Sequence, residues 1–164
     1  MELLPGTVTA HGIALAVHIA CGSTGLVLGP VAMLAAKRRG THTRTGEAYH
    51  WVFLLLFASA VALAVLNWEE VWWLAFVGAG SYAFALLGYL AAKRRWRRWL
   101  RAHVAGQGGS YIAMVTALLV VNTGGTSPLP WVLPTLIGTP IIRWVSGQVA
   151  LGKRPKLRPT QAAR

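Results

Sequence analysis

The chain has 164 residues, of which 55% are apolar and 12% charged, and its mean hydropathy is +0.51. A soluble domain carries about twice that charged fraction, so a water-soluble globule is excluded and a polytopic membrane protein is expected. The formal charge of +12 does not mark a nucleic-acid binder, because the cations sit in blocks beside apolar runs and no aromatic-interleaved soluble domain accompanies them.

Five apolar stretches follow in chain order, close to the ~20 residues that cross a ~30 Å hydrocarbon layer as a helix. They cover about 8–36, 50–68, 71–92, 103–121 and 131–151. The fold expected is therefore an all-α integral membrane bundle of about five helices, occupying residues 1–152. The basic segment 153–164 is expected to be a disordered cytoplasmic tail. No signal peptide is expected, since no basic region precedes Leu3 and the first apolar run is too long. The fifth stretch contains Pro134 and Pro140, which should bend it. The run KRRWRRWLRAH after the third stretch has strong helix formers and no breaker, and it predicts that the third helix continues past its apolar part.

Loop charge predicts orientation. Lys37, Arg38, Arg39 and Arg44 less Glu47 give +3 between the first two stretches. The loop 93–101 carries +6 and the segment after Leu151 carries +5. The alternate connections hold −2 (Glu69 and Glu70) and 0. Positive loops stay cytoplasmic, so the N-terminus is expected outside and the C-terminus in the cytoplasm. Such blocks also attract anionic lipid headgroups. Trp51, Trp96 and Trp99 fall at the expected inner interface; Trp68, Trp72, Trp73 and Trp131 fall at the outer one, as aromatic belts do.

Composition removes several chemistries. There is no Asp, and Glu2, Glu47, Glu69 and Glu70 are the only carboxylates. Aspartate-rich magnesium sites and an intramembrane carboxylate pair are thereby excluded. Cys21 stands alone, which rules out an internal disulfide or a thiolate cluster. Three methionines are too few for a copper path, and no metal site is expected.

Polar residues inside apolar helices mark the remaining candidates, because they are costly in hydrocarbon. On the first helix His11, His18, Gly22, Gly25 and Gly29 share one face by spacings of three and four, and Gly25 to Gly29 is a GxxxG packing motif. The fourth helix carries His103, Gly106, Gln107, Ser110, Tyr111 and Met114 on a comparable face. His50 and His103 are expected at one depth near the inner ends of their helices. Two imidazoles on different helices are the minimum for bis-histidine heme ligation, so His18, His50 and His103 are candidate heme or quinone residues; interfacial packing is the plainer account. Arg143 lies within the fifth helix with no intramembrane carboxylate to meet it. It is expected to find backbone carbonyls freed by Pro140, Gln148 or Tyr side chains, to bind an anionic ligand together with Gln107 and Tyr111, or to snorkel to the inner interface. Tyr82 and Tyr89 share a face of the third helix and are expected in the packing.

The motifs Arg44-x-Gly46-x-x-Tyr49-His50 and His103 followed by Ser110-Tyr111-Ile112, with Leu-Pro-Thr-Leu-Ile-Gly-Thr-Pro at 133–140, resemble a bacterial family of small polytopic membrane proteins catalogued as a domain of unknown function. The resemblance spans about 17–147. It implies a fold and a bacterial cell membrane, and no settled activity; the family usually has a basic residue where Glu47 stands. Three functions remain open: a non-enzymatic component of a larger membrane complex or homo-oligomer, a heme or quinone redox module, and an enzyme on a hydrophobic substrate with His and Tyr as acid and base and Arg143 steering an anionic group.

Overall fold

The computed structural model describes residues 5–36 and 40–151. It contains five helices: α1 (Pro5–Leu34), α2 (Thr41–Leu66), α3 (Trp68–Arg94), α4 (Trp99–Asn122) and α5 (Leu129–Ala150). Among the described residues there is no strand. The chain is an all-α bundle, and α1 to α4 are each long and apolar enough to cross a membrane. In α5, Pro134, Pro140 and Arg143 dilute the apolar run, yet the helix continues through both prolines. The departure from helical geometry lies instead in α3, at Val71, with φ −131° and ψ 18°. The basic segment 153–164 lies outside the described residues.

The outer surface is apolar. Ile13, Val27, Phe76, Val121 and Leu136 are between 62% and 79% exposed, a display that suits lipid rather than water. The interior mixes small and polar groups, Ser59, Ala64, Ala85, Ala91, Ser110 and His50, with the larger Tyr49, Phe53 and Met114. With lipid as apolar as leucine, helices associate through close backbone approach and polar contacts.

Consecutive helices pack side by side, and α1 also meets α4. Helices α1 to α4 thus close a ring, while α5 lies outside it against α4. Glycines set these contacts. A Cβ on Gly106 of α4 would stand 2.5 Å from the Gly88 nitrogen and 2.6 Å from the Phe84 carbonyl of α3. A Cβ on Gly25 would meet Met114, and one on Gly29 would meet the ring of Tyr111. The GxxxG of α1 therefore serves the contact with α4 within this chain. On the other side of α4, Gly108 receives Ile142 of α5 and Gly138 of α5 receives Ile112.

Two expectations about helix ends are corrected. The second helix starts at Thr41, more than two turns before His50, because its polar first turns stand against neighbours: Glu47 forms an ion pair with Lys93 of α3. Hydropathy marks the apolar part of a helix and not its polar extension. The third helix does not run on through KRRWRRWLRAH. It stops at Arg94, and Arg95 and Arg98 take left-handed backbone conformations with φ 48° and 64°. That geometry is unfavourable for a residue with a Cβ. It is imposed by the reversal that lets Gly106 meet Gly88, and local helix propensity of a few tenths of a kcal/mol per residue is overridden.

Candidate functional site

The polar groups form three sets along the bundle. In the interior, α2 and α4 are joined by Tyr49 and Ser110, whose hydroxyls are 3.0 Å apart and buried at 3% and 0% exposure. Ser110 gives its own proton to the Gln107 carbonyl at 2.9 Å, so the Tyr49 hydroxyl is the donor of the pair. Gln107 donates from Nε2 to the Ala85 carbonyl of α3 at 3.1 Å. Tyr111 donates to the Leu26 carbonyl of α1 at 3.2 Å. Gln107 and Tyr111, expected at a ligand, thus bind the helices to one another.

At the end where α1 begins and α2 finishes, histidines meet polar partners. Ser59 gives its proton to the Leu56 carbonyl at 2.8 Å, which leaves its oxygen to accept from Nδ1 of His18 at 3.1 Å. Nearer this end, Nδ2 of Asn67 donates to the Leu63 carbonyl at 3.1 Å and to Nδ1 of His11 at 3.2 Å. The Trp73 and Trp131 rings also meet here, 6.1 Å apart.

The opposite, basic end holds the densest set. The His50 imidazole is 4% exposed and lies flat on Tyr89, with centroids 3.9 Å and planes 7° apart. Tyr82 stands 6.0 Å from the same imidazole at 29°, and Phe57 stacks on Tyr82 at 5.2 Å and 1°. Nδ1 of His50 is buried with no hydrogen-bond partner, an uncommon cost for a polar atom. Lys93 pairs with Glu47 and lies 5.3 Å over the Tyr89 ring. His103 donates from Nδ1 to the Gly88 carbonyl at 2.9 Å. His42 bonds the Ala32 carbonyl at 2.7 Å and meets His103 edge to face at 6.1 Å.

The three candidate heme residues each meet a different partner: Ser59 for His18, the Tyr89 ring for His50 and the Gly88 carbonyl for His103. His50 stacks on Tyr89 and His103 bonds the carbonyl of the adjacent Gly88 on α3, while the His103 ring also meets His42, eight residues before His50 on α2. His18 reaches α2 at Ser59, nine residues from His50 and about 13 Å farther along the axis. Among the described residues no group of three His, Cys, Asp or Glu side chains gathers at one point. Arg143 is exposed on the outward side of α5 and makes no hydrogen bond or ion pair with any of the described residues, so the expected contacts with Gln148 or freed carbonyls do not form.

Sequence reasoning missed the Glu47–Lys93 pair, the Tyr49–Ser110 bond, and the roles of Ser59 and His42. A signal existed for the first: Glu47 is the one carboxylate within a basic block. For the others only tertiary placement tells which polar residues meet. Compared with known protein families, with curated proteins and with solved structures, the chain matches none.

Proposed function

We propose that the chain is a non-enzymatic component of a larger membrane assembly, its basic end toward the cytoplasm, with the four-helix ring as scaffold and α5 as the helix that meets a partner. The observation that carries this reading is the position of Arg143. It follows Ile142, which packs into α4 at Gly108, and it points away from the bundle among the exposed side chains of Ile137, Ile141 and Trp144. Seven residues, about 10 Å, separate it from the end of α5. A cation at such depth costs about 2.5 kcal/mol or more when it faces lipid, and an acidic or polar partner offsets that cost. A second copy of the chain offers no free carboxylate within its apolar helices: Glu47 pairs with Lys93, Glu69 and Glu70 open α3, and Glu2 precedes α1 in sequence. The partner argued for is a different membrane protein with a carboxylate among its helices.

A photo-crosslinking residue in place of Trp144 tests this in the native membrane. The expected result is an adduct larger than the chain that disappears in Arg143→Gln and persists in Arg143→Lys. Adducts with lipid alone, with a second copy, or insensitive to Arg143 would overturn the reading.

A redox function has one specific observation in its favour, the unpartnered Nδ1 of His50 beside the Tyr89 ring. That nitrogen can exchange one hydrogen bond with a quinone oxygen if α2 and α3 separate. Quinone extracted with the purified wild-type protein, and lost in His50→Phe, would favour it; equal quinone in both would remove it. A Soret band would test heme in the same sample.

A further inference from the structure

We propose that the cleft between the start of α4 and the end of α5 is a binding site for the phosphate of an anionic phospholipid. The cleft is shallow and open, and it is lined by Arg98, Leu100, Arg101 and Val149. Arg98, the left-handed residue just before α4, and Arg101 in its first turn both line this cleft. Neither forms an ion pair with any of the described residues, where the one salt bridge is Lys93 with Glu47. The first turn of α4 contains no acidic residue. The segment that follows α5 in sequence adds five side-chain cations and no side-chain carboxylate. Among the described residues no carboxylate meets either guanidinium, and two guanidinium forks match the oxygens of a phosphate.

The apolar half of the lining decides the source. Leu100 and Val149 offer a surface that a free phosphate would not use, and that suits the glycerol and first methylenes of a lipid. Trp99 stands between the two arginines in sequence, half-buried, with Arg95 5.5 Å over its ring, as an interfacial anchor does. Two cations at the headgroup also disfavour lipids that carry a choline or ethanolamine cation beside their phosphate. The site rests on the reading that this basic end lies at a membrane–water interface.

The full chain is reconstituted in nanodiscs of phosphatidylcholine and phosphatidylglycerol, and the lipids it retains are counted by native mass spectrometry. Wild type should retain phosphatidylglycerol preferentially, and Arg98→Gln with Arg101→Gln should lower that preference on the order of tenfold, with phosphatidylcholine unchanged. Arg98→Lys with Arg101→Lys should keep most of it, which separates loss of charge from damage to the turn. Equal retention by wild type and the Gln pair overturns the site, and displacement of the lipid by millimolar inorganic phosphate overturns the lipid as its ligand. A spin label at Leu100, in a Cys21→Ser background, tests the underlying placement separately: collision with a headgroup-tethered nickel chelate is expected, and a label deep in hydrocarbon or remote from the bilayer overturns the interfacial reading itself.

Discussion

His50 of α2 lies against Tyr89 of α3 with its ring planes almost parallel and its centroid 3.9 Å away, while its Nδ1 has no hydrogen-bond partner. The stack fills the space between the two helices, and the nitrogen does not contribute to it. His50→Phe should therefore keep the protein at least as stable as the wild type, since it retains the stacking and removes a buried unsatisfied atom worth about 1–3 kcal/mol. His50→Ala should lower stability by about 2–4 kcal/mol through the cavity it leaves. Thermal unfolding in detergent distinguishes the two, and a destabilised Phe variant would mean that the nitrogen has a partner in the membrane.

The glycine contacts make a sharper contrast. Gly106→Ala places a methyl group onto backbone atoms of Gly88 and Phe84, which cannot move as a side chain can. A loss of about 1–3 kcal/mol is expected for such overpacking. Gly12 and Gly147 have nothing within 4 Å of the added atom, so alanine there should stabilise its helix by up to ~1 kcal/mol. Equal effects at Gly106 and Gly147 would mean that α3 and α4 do not pack this closely.

The Tyr49–Ser110 bond can be isolated by a double-mutant cycle. Tyr49→Phe removes the donor, and Ser110→Ala removes the acceptor together with its bond to Gln107. Intramembrane hydrogen bonds measured in this way couple by ~0.6 kcal/mol on average, and burial at 3% and 0% exposure places this pair toward the upper part of the range. Additive single effects would show that the two hydroxyls do not meet.

The orientation rests on loop charge alone and has its own test. With Cys21 replaced by Ser, a cysteine at Gly124 should react with an impermeant reagent added from outside. One at Trp96 should react only after the membrane is opened. The reverse pattern would invert the bundle and place the Arg98 and Arg101 cleft in the outer leaflet.

Helix class, number and approximate position were legible in the sequence, because apolar run length and loop charge are local properties of the chain. Register and rotation were not. Whether the GxxxG of α1 faces a second copy or α4 depends on which helices close the ring, and Tyr111 lying over Gly29 is a contact between residues 82 positions apart. The same holds for the end of α3. The sequence of 93–103 is a good helix by itself, and the reversal at Arg95 and Arg98 exists only because two glycines on different helices let their backbones touch. Arg143 states the division most plainly: its presence in an apolar helix could be read directly, but its outward direction was decided by Ile142 and Gly138 packing on α4. Composition determined the solvent this protein occupies; close packing around glycine determined which of its polar groups are spent inside it.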